Sequence, residues 1–312
     1  MASCLSACGK EAEIQMPFSD FQIDKEDISV KFSKNDAYAK GFSYDLATFS
    51  EDYTDGFRLD NAGAGLLVDV NNKKVLFAQN AFERMYPASL TKIMTAYVAL
   101  KYCSTDEIDT VTDEVLNIAD PTAVKLGLKP GDVLTMDQAL HLCLIPSCND
   151  VATAIACHVS GTEAAFCELM NKEAEALGCV STHFTDSNGL GGEEHYTSVY
   201  DLYLIFNEAI KNQDILDIIN CKDYSTVYHD KSGNEVPASV KSTNMFFREL
   251  YEVPANVNVV GGKTGSTTDA GYCLILYSKD NYSNPYISVI LDSDSRENLY
   301  LQMTDLLLQI TN

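Results

Sequence analysis

The sequence has little positive charge and no cluster of lysine or arginine. Its 312 residues include 22 Lys and Arg against 45 Asp and Glu, which gives a formal net charge of −23. Binding to a phosphate backbone needs a concentrated basic surface, so we expect no nucleic-acid partner. The same shortage of positive charge argues against binding to an anionic membrane surface, and solubility is the simplest explanation of the acidity.

Long hydrophobic runs and metal-binding motifs are also missing. No run of eighteen apolar residues occurs, so the sequence predicts no membrane-spanning helix. The ten cysteines form no C-x-x-C pair, and no Cys/His group has zinc-ligand spacing, so we expect no metal. Cys143, Cys157 and Cys167 lie in apolar helical segments and are predicted to be small buried hydrophobes. The five scattered histidines are assigned no chemistry.

The amino terminus carries a short motif, Leu5-Ser6-Ala7-Cys8, that resembles a bacterial lipobox. In such a motif the cysteine becomes lipid-modified, but the basic and apolar regions of a signal peptide do not precede this one. Either the chain begins inside a shortened signal peptide or the match arises by chance. We favour the first interpretation, which predicts lipid attachment at Cys8 and a tail or tether over residues 1–35, followed by one folded domain over residues 36–312.

The order of the elements predicts a mixed fold. Two apolar runs around Asn71-Asn72 predict a β-hairpin, and a helix is expected from about Ser89. Further helices follow as far as Ile210, one of them stopping at Pro146 and another ending at Gly178, whereas residues 104–136 are predicted to be a loop. Hairpins and a closing helix complete the chain, so we expect one sheet built from both ends of the chain. The expected fold class is α/β (α+β), with an antiparallel sheet flanked by helices and an inserted all-helical lobe over about residues 89–225.

Three short motifs carry the chemistry. S-x-x-K occurs once, at Ser89 to Lys92, and K-T-G occurs once, at Lys263-Thr264-Gly265. S-x-N occurs at Ser147-Cys148-Asn149, and also at Ser232-Gly233-Asn234 and Ser242-Thr243-Asn244. A hairpin turn explains the match at Ser232, and Ser147 is preferred to Ser242 because it falls within the helical block. Each motif alone is weak, but the order SxxK, SxN, KTG is that of penicillin-binding proteins and serine β-lactamases.

The resemblance extends beyond these motifs. "YPASLTKIMTA", "GLKPGDVLT", "LIPSCND", "SNGLGGEEHYTSVYDL" and "GGKTGSTTDAGYCLI" are similar to segments of the D-alanyl-D-alanine carboxypeptidases, which are low-molecular-mass penicillin-binding proteins. The resemblance implies a β-lactamase/transpeptidase-like fold without a cofactor. It also implies an extracytoplasmic protein of the cell envelope that releases D-alanine from peptidoglycan stem peptides ending in D-Ala-D-Ala and is acylated by β-lactams.

The resemblance also implies roles for individual residues. Ser89 would be the nucleophile and Lys92 its base, which must be neutral to act; burial and the charge of Lys263 would both lower its pKa. Ser147 would relay the proton to the leaving amine. Asn149 is predicted to contact an amide of the substrate, and Thr264 and Arg296 its terminal carboxylate. Lys263 would act through its electrostatic field, and Gly265 would let the substrate backbone approach closely. The backbone N–H groups of Ser266 and Ser89 would bind the oxyanion.

Several alternatives remain open at this stage. A serine β-lactamase of the same fold is the nearest, although no E-x-x-L-N motif follows the second motif between Asp150 and Gly178. A non-catalytic binding protein and a transpeptidase are the others. Cys148 stands where the family more often has a small residue such as glycine, and it would either tune the site or simply pack.

Overall fold

The computed structural model describes residues 46–54, 56–118 and 120–311, which belong to a compact unit beginning at residue 45. The strands are β1 (Ala62–Asp69), β2 (Lys74–Gln79), β3 (Ile108–Thr110), β4 (Val133–Thr135), β5 (Asp223–His229), β6 (Glu235–Lys241), β7 (Val257–Thr267), β8 (Gly271–Asp280) and β9 (Pro285–Ser293). The α-helices are α1 (Thr91–Tyr102), α2 (Met136–Leu144), α3 (Asn149–Ser160), α4 (Glu163–Ala176), α5 (Val199–Ala209), α6 (Gln213–Asn220) and α7 (Arg296–Leu308).

A five-stranded antiparallel sheet joins the two ends of the described chain. Its strand order is β2-β1-β9-β8-β7, so β1 pairs with the late strand β9, and β7 lies at an edge. The prediction of one sheet built from both ends of the chain is therefore confirmed. An edge strand leaves one row of backbone groups available to a partner chain or a substrate.

The sheet buries both of its faces. Alternate residues of a strand point to opposite sides. Leu66 and Ile275 accordingly join the larger core beneath α1, α3 and α5, whereas Leu67 and Leu274 pack with the apolar side chains of α7. Each fully buried Leu or Ile contributes about 1.5–3 kcal/mol to the stability of the fold, so the sheet is a rigid support for the residues at its edge.

The inserted lobe is not all-helical, contrary to the prediction. A second sheet of order β3-β4-β5-β6 belongs to it, and its first two strands fall in the segment predicted to be a loop. These strands have only three residues each, and in β3 the buried position is Asp109 between two exposed residues. A buried carboxylate in a short strand does not produce the apolar alternation that reveals a strand in a sequence.

Helix boundaries follow local capping chemistry. Thr135 starts α2 with a capping box that includes Gln138, and Thr162 and Ser198 cap α4 and α5 through their side chains. Gly178, with φ +82°, follows α4 as predicted, because glycine adopts the left-handed conformation without strain. The helix α6 had not been predicted.

Three sequence predictions fall on undescribed residues. The tail over residues 1–35 and the lipid attachment at Cys8 lie outside the residues that the structure describes, as does the domain boundary at residue 36. Among the described residues, no helix combines the length and the apolar character needed to cross a bilayer.

Candidate active site

Ser89 lies in a short 3₁₀ helix, Ala88–Leu90, immediately before α1. Ala88 has φ +47°, a left-handed conformation that is strained for alanine. Two glycines press on this turn: a Cβ on Gly189 would meet Ala88 O at 1.9 Å, and one on Gly265 would meet Ser89 N at 3.0 Å. Tertiary packing therefore holds the Ser89 peptide in place, and the half-buried side chain reaches the cleft described below.

Lys92 lies one turn further along and is completely buried. Its Nζ is 2.9 Å from Ser89 Oγ, 2.7 Å from Asn149 Oδ1 and 2.6 Å from the carbonyl oxygen of Asn188. A neutral amine has two N–H donors and one lone pair. Donation to the amide oxygen and the carbonyl oxygen would use both hydrogens, which leaves the lone pair directed at Ser89.

Burial lowers the pKa of Lys92 to about 8, while neighbouring acidic groups, with Cys143 first and Asp186 next, oppose the shift. Burial, followed by the charge of Lys92, lowers the pKa of Lys263 to about 7. The sequence had suggested that burial and the charge of Lys263 both lower the pKa of Lys92. Burial is the largest cause there, and the mutual repulsion of the two ammonium groups acts within the same pair. At neutral pH the pair therefore holds fewer protons than two free lysines would.

The second motif occupies the break between α2 and α3. Ser147 has φ +71°, which turns the chain sharply after Pro146 and aims its hydroxyl at Lys263. Asn149 opens α3 and also binds the carbonyl oxygen of Val124 through its side-chain N–H, at 3.0 Å. Cys148 is buried in the core, where burial raises the pKa of its thiol to about 12, so this side chain packs.

The third motif lies on edge strand β7. Lys263 Nζ donates to Ser147 Oγ at 2.9 Å and to the Thr264 carbonyl oxygen at 2.8 Å, and the side chain is 1% exposed. The hydroxyl of Thr264 is 2.6 Å from that of Thr243. No carboxylate of the described residues pairs with Lys263, so its burial is costly, and such buried groups are concentrated at functional sites.

These segments border one cleft of about 640 Å³. Of the predicted residues, Ser89, Ser147, Asn149, Thr264, Gly265, Ser266 and Arg296 line it. Lys92 and Lys263 lie beneath its floor, bonded to Ser89 and Ser147. Arg296 is exposed at the start of α7, with its guanidinium 5.7 Å from the ring centroid of Tyr272.

The S-x-N matches at Ser232 and Ser242 lie in different surroundings. Ser232-Gly233-Asn234 forms the predicted turn between β5 and β6, where both serine and asparagine N–H groups bind Asp230. Ser242 accepts the N–H of Asn244 at 3.2 Å and does not line the cleft. The middle residue of that match, Thr243, does line it.

Sequence reasoning missed the loop that carries Asn188 and Gly189. Asp186 Oδ1 accepts the N–H groups of both residues at 3.0 and 2.6 Å, and Thr95 holds the carbonyl of Ser187 at 2.6 Å. The loop functions through backbone atoms, which no side-chain motif reveals. The Asp-Ser-Asn-Gly turn signal and the family resemblance of the segment that begins at Ser187 were the available clues.

The comparisons with known proteins agree with this arrangement. The family model described as D-alanyl-D-alanine carboxypeptidase matches residues 58–295. The chain is 31% identical over 250 residues to the D-alanyl-D-alanine carboxypeptidase DacF of Bacillus subtilis, covering 79% of this chain and 61% of the relative. It is 34% identical over 223 residues to DacA of Escherichia coli K12, covering 69% and 52%. The chain thus spans between half and two thirds of the length of these relatives.

Solved structures show the same fold. The Streptomyces K15 DD-transpeptidase matches with a TM-score of 0.73 and 26% identity, over 80% of this chain and 96% of that one. Penicillin binding protein 5 from Haemophilus influenzae matches with a TM-score of 0.70 and 28% identity, over 80% and 70%. The predicted fold class, an antiparallel sheet flanked by helices, is confirmed by these neighbours.

Proposed function

The chain belongs to the D-alanyl-D-alanine carboxypeptidase family, and we propose on this basis that it releases the terminal D-alanine from peptidoglycan stem peptides through a serine acyl-enzyme. The observation that carries the proposal is the contact of Lys92 Nζ with Ser89 Oγ at 2.9 Å, with both N–H groups of a neutral Lys92 supplied with acceptors. Serine is a weak nucleophile unless a base removes its proton, and a buried neutral amine is such a base.

Acylation begins at the peptide bond between the two D-alanines. Ser89 Oγ attacks the carbonyl carbon while its proton passes to Lys92. The backbone N–H groups of Ser89 and Ser266 stabilise the oxyanion, and each such donor is typically worth about 3 kcal/mol. The close approach of Gly265 to Ser89 N supports this pairing, because it brings β7 alongside the attacking residue.

Collapse of the tetrahedral intermediate breaks the C–N bond. Ser147 delivers a proton to the leaving amine and is replenished through Lys263, to which it is hydrogen-bonded. Water then attacks the acyl-enzyme by the same route in reverse, giving the shortened peptide and restoring Ser89. No step requires a metal or an organic cofactor.

Substrate binding uses the edge strand and the positive charges near it. The stem peptide lies along β7, with its amide against Asn149 and its terminal carboxylate against Thr264 and Arg296. Lys263 adds a favourable field from below. A β-lactam carries a carboxylate and an acylating carbonyl in a similar arrangement, so it would acylate Ser89 as well.

Transpeptidation is the second candidate, favoured by the structural likeness to the Streptomyces K15 DD-transpeptidase. The acyl-enzyme is the same in both reactions. An amine in place of water would form a new peptide bond, so the two outcomes differ only in the acceptor.

Mass spectrometry after penicillin treatment tests the proposal. We expect one adduct per chain, on the peptide containing Ser89, together with D-alanine release from a peptide ending in D-Ala-D-Ala but not from one ending in L-alanine. Ser89→Ala should lose both activities, whereas Ser242→Ala, outside the cleft, should retain both. A chain that neither labels nor releases D-alanine would refute the enzyme assignment. Penicillin hydrolysis faster than D-alanine release would indicate a β-lactamase, and added amines that capture the acyl group would indicate a transpeptidase.

Location at the cell envelope follows from the substrate, and anchoring through a lipid on Cys8 is a further part of the proposal. The Leu5-Ser6-Ala7-Cys8 motif supports it. Metabolic labelling with a clickable fatty acid should mark the wild-type chain but not Cys8→Ala. Labelling that persists in this variant would place the lipid elsewhere.

A further inference from the structure

A second cluster of reactive side chains lies at the far ends of the helices that carry the candidate active site. Cys103 is the C-cap of α1 and His158 lies in the last turn of α3, with Glu107 just before β3. The ligand atoms of these three residues all lie within 4.8 Å of one another. Since α1 has twelve residues, about 18 Å of helix separates the cluster from Ser89.

We propose that Cys103, Glu107 and His158 bind a Zn²⁺ ion. A thiolate, an imidazole nitrogen and a carboxylate oxygen are the ligand types that zinc takes in proteins, whereas magnesium and calcium prefer oxygen alone. His158 Nε2 is 3.1 Å from Glu107 Oε2. Two ligands of tetrahedral zinc, each about 2.0 Å from the ion, lie about 3.3 Å apart, so this pair of ligands needs little movement.

Neighbouring groups already orient two of the three ligands. The backbone N–H of Ser104 donates to Glu107 Oε1 at 2.8 Å, which leaves Oε2 facing the histidine. On the other side of the ring, His158 Nδ1 is 3.5 Å from Asp109 Oδ1. A carboxylate on Nδ1–H selects the tautomer whose Nε2 lone pair is free for a metal, the carboxylate–histidine–zinc arrangement of many zinc sites.

The electrostatic surroundings favour a cation. The cluster lies at the carboxyl ends of two twelve-residue helices, where the helix dipoles place partial negative charge. Asp109 is 2% exposed and its Oδ2 atom has no hydrogen-bond partner in the described residues, so this carboxylate also lacks a full set of compensating contacts. Glu107 is nearly half exposed, which gives an ion access from solvent and leaves a fourth position for water.

The ion would add a direct link between elements that already pack against one another. It would link the ends of α1 and α3 to the strand β3, while the opposite ends of these helices carry Lys92 and Asn149. The site is therefore structural in this proposal, and it does not depend on the chemistry of the cleft.

Zinc titration of the full chain tests the proposal. Protein stripped with a chelator and kept reduced would be titrated with Zn²⁺ against a chromogenic competitor, and Co²⁺ would report thiolate coordination by its near-ultraviolet charge-transfer band. We expect one high-affinity ion per chain. Cys103→Ser, Glu107→Gln and His158→Gln should each weaken binding by about 100-fold or more, and Asp109→Asn by about 10–100-fold.

Matched controls separate this site from incidental binding. Cys221→Ser changes another partly exposed cysteine, and His141→Gln changes another half-buried histidine that faces a carboxylate, so neither should alter the affinity. Zinc should raise Tm in the wild type and in both controls but not in Cys103→Ser. Penicillin labelling should continue in the stripped protein, so a failed zinc site and a failed active site are distinguishable.

Two results would overturn the assignment. One is zinc binding that is unchanged in both Cys103→Ser and His158→Gln. The other is a wild-type affinity weaker than about 10 μM, or about −7 kcal/mol, which would leave His158 as a plain ion-pair partner of Glu107 and Asp109. Glu107→Gln changes an exposed side chain and should fold normally, so it provides a test even if a more buried variant does not.

Discussion

At the scale of single residues, the buried lysines have the largest energetic consequence. A shift of the Lys92 pKa from 10.5 to about 8 favours its neutral form by about 3 kcal/mol. The folded-state pKa lies below the unfolded value, so the unfolded chain binds more protons between pH about 8 and 10.5. The free energy of unfolding therefore rises with pH through that window because of Lys92. Below the window, the folded state bears the full free-energy cost of burying the charged amine.

The first prediction concerns pH. The rate of penicillin acylation should rise with an apparent pKa between about 7 and 8, because the base must lose its proton. Over pH 8 to 10.5, the unfolding free energy of the wild type should rise relative to that of Lys92→Met, which has no amine to titrate. Stopped-flow labelling and chemical denaturation across pH measure the two effects. A flat acylation profile from pH 6 to 9 would exclude Lys92 as the base.

A second prediction tests the contact between Lys92 and Asn149. Asn149→Asp would put a carboxylate 2.7 Å from Nζ, which should raise the apparent pKa of acylation by about 1–3 units and slow acylation at pH 7. Raising the pH should recover part of the rate. Asn149→Ala serves as the comparison: it removes the same acceptor without adding charge. If both variants lost the same share of the acylation rate at every pH, Asn149 would act only in substrate binding.

At the scale of elements, the candidate nucleophile depends on a loop distant in the sequence. The loop around Gly189 contacts the Ala88 carbonyl, and the preceding residue supplies the backbone oxygen bound to Lys92. Glu163 fixes this loop by accepting the N–H of Ser187 at 3.0 Å, in addition to a close contact with its hydroxyl. The strained φ of Ala88 persists because the contacts of this loop hold the turn in place.

The third prediction exploits two glycines of the same loop. Gly189→Ala should reduce acylation by about 100-fold or more, because its Cβ would lie 1.9 Å from Ala88 O and its φ is +89°. Gly192→Ala should leave the rate within about two-fold, since no atom lies within 4 Å of its Cβ position. Penicillin-labelling rates and Tm of both variants test this prediction. Similar losses of labelling rate in the two variants would contradict it, because they would show that the loop tolerates no change at either position.

At the scale of the whole molecule, the cleft exists because a mainly helical lobe stands beside the edge of a sheet. Ser147 belongs to the lobe and Lys263 to the sheet, and their hydrogen bond spans the boundary. Among the described residues, Lys263 is offered oxygen atoms by Ser147 and Thr264 but no carboxylate bond, so its charge is poorly compensated. The site therefore carries a stability cost that the two packed cores offset.

The fourth prediction follows from that cost. Lys263→Met keeps an unbranched side chain only one heavy atom shorter and removes the buried amine, so unfolding free energy should stay within about 1 kcal/mol of the wild type or increase. Acylation should nevertheless fall by about 100-fold or more, since Ser147 loses its partner and the substrate carboxylate loses a nearby charge. Denaturation and labelling on the same preparation compare the two effects. Parallel loss of stability and labelling would assign the lysine a structural role.

The sequence predicted the elements whose signals are local. The hairpin β1–β2, the end of α2 before Pro146 and the end of α4 at Gly178 follow from turn and breaker residues. The short strands β3 and β4 were missed because three residues give no period to detect. The cluster at Cys103 was missed because His158 lies far along the chain and approaches it only when α1 and α3 pack together.

The motif residues, the order of the longer strands and most of the helices, and the family resemblance were determined by the sequence alone, since each is a matter of residue type and spacing. Tertiary structure decided the rest: that Lys92 loses its water, that Asn188 offers it a carbonyl oxygen, and that Gly189 presses on the Ala88 peptide. Desolvation and backbone contacts between distant segments arise only when the chain is folded, because they depend on which surfaces are brought together rather than on which residues are neighbours in sequence.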